Sequence, residues 1–223
     1  MFIHPRVEAR YIALLFSLIL LLSLLLILEL IGHAFRKIGF SPFYSVFFLF
    51  LSLLGSYVNI PISEVTSREP IVSNRVIDFY WFKYIIPTIE VERRTIIAIN
   101  LGGAVVPIAI SLFLATKLSL IEVLLGVSIM SLLIHLIARP VKGLGIAIPP
   151  LIPPILAAAL GVLIAPSNAP LLAYISGTLG CLIGADLLNL KKIPYLGARM
   201  ASIGGAGTFD GIFLTGVIAV LLT

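Results

Sequence analysis

Residues 11–31 form one apolar run broken by a single ionisable side chain, Glu29. About 20 apolar residues in a helix cross a ~30 Å hydrocarbon core. In lipid every backbone polar group needs an internal partner, so such a run folds as a helix. It exceeds the apolar region of a typical signal peptide, and no small-residue cleavage site follows it. It therefore reads as a membrane span. Six more apolar windows follow, at 43–60, 96–116, 119–138, 149–165, 171–190 and 202–222. Composition agrees: 60% of the 223 residues are hydrophobic and 11% charged, where a soluble domain is about a quarter charged. Mean hydropathy is +1.18. The reading is an all-α membrane protein, a bundle of about seven transmembrane helices forming a single integral membrane domain over 1–223. Cytosolic enzymes, disordered chains and secreted disulfide scaffolds are excluded. Cys181 is the only cysteine, which leaves no intramolecular disulfide or cysteine-based zinc site. No nucleic-acid-binding module and no internal repeat is evident.

Lys and Arg set the expected orientation. With seven spans, one side carries Arg6, Arg10, Arg68, Arg75, Lys83, Arg93, Arg94, Arg139, Lys142, Lys191, Lys192 and Arg199. The other carries Arg36, Lys37 and Lys117. The positive-inside rule then places the N-terminus in the cytoplasm and the C-terminus outside the cell membrane. Residues 61–94 become a cytoplasmic loop insertion. The alternation in Thr88-Ile89-Glu90-Val91-Glu92 reads as a strand, so the loop is expected to hold a small sheet or β-hairpin. Its edge is a place for an extended peptide to add. The aromatic run Phe79-Tyr80-Trp81-Phe82 with Tyr84 reads as an interfacial anchor.

Ionisable residues inside spans are costly and face bundle interiors or cavities. Glu29 and Glu122 lie near span ends and read as structural. Asp186 and Asp210 lie deeper, roughly 7 and 10 Å from the cytoplasmic end at 1.5 Å per residue. They stand on consecutive antiparallel segments at similar depth. Other unusual residues fall at that level. Asn100 precedes Gly102 and Gly103, and His135 is a turn from the end of its span. The segment Pro149-Pro150-Leu151-Ile152-Pro153-Pro154 carries two Pro pairs, here Pro150 and Pro153 as candidates, that a regular helix interior does not accept. Gly205 and Gly207 permit close backbone approach. All converge on one cytoplasmic-half site, with Asn100 and His135 as supporting residues. Bonding to a neighbouring helix is the plainer reading of each of those two, and helix packing that of the glycines.

Two carboxyls held close share a proton, so one serves as base on a water while the other donates to a carbonyl. Gly205-Ala206-Gly207 before Asp210, with Asp186 on the preceding helix and Ile193-Pro194 after it, resembles the GxGD-type intramembrane aspartyl proteases, the presenilins, signal peptide peptidases and prepilin peptidases. The resemblance implies that Asp186 and Asp210 form a catalytic pair cleaving membrane-embedded peptides, reached from the cytoplasm. The sequence departs from that pattern. Thr208 and Phe209 separate the glycines from Asp210, Ala185 stands before Asp186, and no Pro-Ala-Leu element follows. The chain as a whole is similar to an uncharacterised prokaryotic family of polytopic membrane proteins. The segments carrying this likeness are Asn100-Leu101-Gly102-Gly103, Ala138-Arg139-Pro140-Val141-Lys142-Gly143 and Gly204-Gly205-Ala206-Gly207-Thr208-Phe209-Asp210-Gly211. That likeness supplies no activity.

The rival reading is a secondary transporter or proton- or cation-coupled carrier using the same carboxylates. A metalloenzyme ligated by His135, Asp186 and Asp210 ranks below it, because no His-Glu-x-x-His pattern occurs. A structural scaffold completes the set. No cofactor and no metal is expected. The expected partners are the bilayer and a transmembrane peptide substrate.

Overall fold

The computed structural model describes residues 5–70, 76–79, 82–85, 90–141, 145–196, 198–205 and 211–223. Helix α1 spans Pro5–Lys37. It closes in a left-handed turn, with Gly39 at φ +92°. Gly39 N–H donates to Arg36 O at 3.0 Å and Phe40 N–H to Phe35 O at 3.0 Å. The Phe35 and Phe40 rings meet at 5.9 Å across this turn. Glycine-capped helix ends are stabilised in this way, by satisfying the last carbonyls and adding an apolar contact. Helix α2, Pro42–Gly55, starts with proline at its first position, where a missing N–H costs nothing. Strands β1 (Asn59–Pro70) and β4 (Glu90–Asn100) pair antiparallel, from Asn59 opposite Asn100 to Pro70 opposite Glu90. Between them, β2 (Val76–Phe79) and β3 (Phe82–Ile85) form a separate hairpin.

Strand β4 runs straight into a π-helical turn, Leu101–Val105, and then α3, Val106–Ala115. Helix α4, Leu120–Ile137, opens with a reciprocal cap: the Ser119 hydroxyl accepts from Glu122 N–H, and the Glu122 carboxylate accepts from Ser119 N–H. The pair β5 (Arg139–Val141) and β6 (Gly145–Ala147) leads to α5, Ile152–Ile164. Helix α6, Ala169–Cys181, continues as a π turn, Leu182–Asp186, and a 3-10 segment, Leu187–Leu196. Strand β7, Met200–Ile203, joins the first sheet in the order β1-β4-β7, parallel to β4. Helix α7, Gly211–Leu222, ends the chain.

Helix α6 is the centre of the bundle. Leu172 through Thr178 are all buried along it, and α3, α4, α5 and α7 pack around it. Its small residues let neighbours approach at backbone distance, the usual device where lipid removes the hydrophobic driving force. At Gly184 a methyl group would collide with the Ser131 carbonyl of α4 and sit 2.9 Å from Ile134 Cβ. In contrast, α1 exposes nearly every side chain from Tyr11 to Leu30 and joins the core through Ile31, Ala34 and Phe35, with Ile38 following just after it.

Three helices are long and apolar enough to cross a membrane: Ala9–Lys37, Leu120–Ile137 and Pro166–Ile193. They mark the chain as a membrane protein. The other four expected spans are shorter. Helices α2, α5 and α7 have 14, 13 and 12 residues, about 18–21 Å at 1.5 Å per residue. Part of the missing length is β-structure. Asn59 and Ile60 of one window pair with Ile99 and Asn100 of the next, and Ser202 and Ile203 of the last window lie in β7. Among the described residues the bundle holds seven α-helices with a sheet at one end; the expected small sheet is present, and it also takes in residues 96–100 and 202–203, which the apolar windows had assigned to spans. The expected strand at 88–92 is present over 90–92 and runs eight residues further, to Asn100. Thr88 and Ile89 lie outside the described residues. Of the aromatic run, Phe79 and Phe82 pair across the β2–β3 hairpin, whereas Tyr80 and Trp81 lie outside the described residues.

The proline segment is also corrected. Pro153 and Pro154 sit in the first turn of α5, where helix N–H groups have no intrahelical acceptor. They start a regular helix rather than break one. Glu29 bonds Arg36 at 2.6 Å and Glu122 caps α4, so both acids have structural partners.

Candidate functional site

Asp186 is the last residue of the π turn that extends α6. Its Oδ2 accepts a hydrogen bond from Gly204 N–H at 2.8 Å, the only hydrogen bond it makes among the described residues. Gly204 follows β7 directly and has φ +85°, a conformation that favours glycine. A methyl group there would lie 2.7 Å from both Ala104 Cβ and Ala104 N. The Gly204 peptide is thus wedged between Asp186 and the π turn at 101–105. Sheet and π turns fix the carboxylate together.

Asp186 lines a cavity of about 400 Å³. Pro149, Pro150, Leu151 and Pro153 from the start of α5 form one wall. Cys181 and Ala185 come from the α6 side, Met200 through Ile203 from β7, and Gly205, Gly211, Ile212 and Thr215 from the last segment. The lining is mainly apolar. Asp186 is the only charged residue on it among those described. An apolar pocket with one carboxylate and a few hydroxyls is suited to a largely apolar ligand held at one polar point.

Of the residues expected at the site, the cavity brings together Asp186, Pro150, Pro153 and Gly205. Gly207 and Asp210 lie outside the described residues. The residues bracketing them, Gly205 and Gly211, both line the cavity. Asn100 and His135 do not line it.

Asn100 is 1% exposed and works on backbone. Its Oδ1 accepts from Gly103 N–H at 2.7 Å and caps the π turn. Its Nδ2 donates to Ser56 O at 2.6 Å and to Asn59 Oδ1 at 3.0 Å. The same Asn59 oxygen accepts from the Ser202 hydroxyl. One amide network therefore ties α2, β1, β4 and β7 together behind the cavity wall.

His135, near the end of α4, places Nδ1 3.3 Å from Gly184 O and 3.3 Å from Asn189 Nδ2. Asn189 is 1% exposed and was missed in the sequence reading. It lies in the same apolar window as Asp186, so the criterion that picked out Asn100 applied to it equally. Its Nδ2 donates to Gly184 O at 3.1 Å and Ala185 O at 2.8 Å. Among the described residues no group of three or more His, Cys, Asp or Glu is placed to hold a metal ion.

No curated protein and no solved structure matches the chain. A family model does match, described as protein of unknown function (DUF1614), over residues 53–222. The match takes in the sheet, both π turns, the cavity and the Asn100, His135 and Asn189 contacts, and leaves α1 outside it. The chain belongs to this DUF1614 family.

Proposed function

We propose that this protein is an intramembrane aspartyl protease-like hydrolase that cleaves extended, membrane-embedded peptides with Asp186 and Asp210 as its acid–base pair. The observation that carries the reading is the Asp186 carboxylate, held by Gly204 N–H on the wall of an apolar cavity. Two carboxyls sharing one proton activate a water and protonate the departing amine without a metal. Asp210 is bonded directly to Gly211, a lining residue. Strand β7 is the end strand of its sheet and also lines the cavity. A peptide added along that edge carries its backbone past Asp186, because Gly204 both continues β7 and binds the carboxylate.

We assign the sheet end of the bundle to the cytoplasm of the cell. The exposed bases Arg94, Arg139, Lys191, Lys192 and Arg199 are at that end. At the other end Arg36 is paired with Glu29, and Lys37 donates to Val220 O. This charge bias supports an N-terminus inside and a C-terminus outside. It leaves the four shorter helices as spans that cross a locally thinned bilayer.

The test uses the purified full chain in lipid vesicles with fluorogenic apolar peptides. Cleavage is expected, and it is expected to vanish in Asp186→Asn and Asp210→Asn while thermal unfolding stays near wild type. Cleavage retained in either variant overturns the proposal. A carrier reading draws support from the two π turns at 101–105 and 182–186, since irregular backbone at membrane depth is used for ion sites. It predicts proton or cation flux across the same vesicles, lost in Asp186→Asn.

A further inference from the structure

We propose that His135 and Asn189 are positioning residues that set the register of the π turn and so aim Asp186 into the cavity. The inference rests on Asp186 being the acid of the site and adds how that acid is held. The need for such a device follows from the backbone. Leu187 N–H closes the π turn onto Leu182 O and Ile183 O. The chain then tightens to 3-10 spacing over Leu187–Leu196, where each N–H reaches the carbonyl three residues back. At this change of spacing Gly184 O takes side-chain contacts, and a buried carbonyl left without a donor is costly.

Asn189 and His135 reach this carbonyl from two elements. The two Asn189 N–H bonds run to Gly184 O and Ala185 O, at 3.1 and 2.8 Å. With both protons so committed, His135 Nδ1 at 3.3 Å from Gly184 O carries its own proton and donates it there. A bare Nδ1 would set its lone pair against the carbonyl lone pairs. The neutral ring is therefore the Nδ1–H tautomer. One carbonyl, two residues before Asp186, is clamped by α4 and by the 3-10 segment at once. Without the clamp the turn is free to relax to ordinary helix spacing, which rotates residue 186 off the cavity wall. Among the described residues Asn189 Oδ1 is buried without a partner, so this amide is kept for its donors.

Two measurements on the full chain in bilayers test the assignment. In the first, ¹⁵N-histidine spectra give the tautomer of His135, assigned by loss of its signals in His135→Asn. The Nδ1–H form is expected, and the Nε2–H form overturns the proposal. In the second, Asp186→Cys in a Cys181→Ala chain is labelled with a water-soluble methanethiosulfonate. Adding Asn189→Leu or His135→Leu is expected to slow labelling about tenfold, the equivalent of one buried hydrogen bond. His135→Asn, which keeps a donor near the Nδ1 position, is expected to restore it. Unchanged labelling in folded Leu variants overturns the proposal. If Asn189→Leu fails to fold, the His135→Leu and His135→Asn pair decides. Neither measurement uses cleavage, so a chain that passes both yet cleaves nothing removes the hydrolase reading and leaves this one standing.

Discussion

Replacing Gly204 with alanine isolates the backbone contact that holds Asp186. The residue has φ +85°, and forcing a side chain into the left-handed region costs about 1–2 kcal/mol. The new methyl would meet Ala104 N and Cβ at 2.7 Å and Gly103 C at 2.8 Å. Two of these atoms are backbone, which cannot turn aside as a side chain can, and overpacking of this kind costs about 1–3 kcal/mol more. The sum is about 2–5 kcal/mol. Gly145 is the control. It has φ +114° and open space within 4 Å of the same methyl position, so Gly145→Ala carries the strain alone, about 1–2 kcal/mol. The assay is thermal unfolding of both variants in one detergent or lipid. At about 2–4 °C per kcal/mol for a chain of this size, Gly145→Ala should lower Tm by about 2–8 °C and Gly204→Ala by about 4–20 °C. Equal losses in the two variants would refute the claim that Gly204 is wedged against the π turn.

Two further substitutions probe the network around the site. Asn100→Leu leaves Gly103 N–H and Ser56 O unpaired in a buried place. At about 1–3 kcal/mol per orphaned group it should destabilise by about 2–6 kcal/mol, and a loss under about 1 kcal/mol in chemical unfolding would contradict the capping role. Tyr174→Phe has the opposite sign. The Tyr174 hydroxyl is fully buried and has no hydrogen-bond partner among the described residues, so removing it should stabilise by about 1 kcal/mol; a lower Tm would show that the hydroxyl is satisfied.

The long apolar segments were legible because a membrane helix depends on little beyond length and hydropathy. Helices α1 and α4 follow their windows closely, as 11–31 within Pro5–Lys37 and 119–138 around Leu120–Ile137. The run Ile96-Ile97-Ala98-Ile99-Asn100 was not legible as strand. It is apolar enough for either state, and what decides it is pairing with residues forty positions earlier and a hundred later, which no local pattern carries. The Pro149–154 segment was read as broken backbone because prolines were weighed without knowing where the helix starts. The site was half legible. Asp186, Pro150, Pro153 and Gly205 were singled out by chemistry misplaced in an apolar chain, and they share one cavity. Asn189 carried the same signal, but it stands five residues before Pro194 and close to Lys191 and Lys192, where a polar residue looks like a span end. Its importance comes from its bonds to the Gly184 and Ala185 carbonyls where π spacing gives way to 3-10 spacing, and backbone register of that kind leaves no mark on residue type.

The separation of the Asp186 and Asp210 carboxyls tests the central claim most directly. An experimental structure of the chain in lipid gives it. If the two act on one water, each lies within hydrogen-bond reach of it, and their nearest oxygens stand within about 6 Å of each other across the cavity. Oxygens farther apart than about 10 Å, or opening onto different faces of the bundle, would contradict shared-water catalysis.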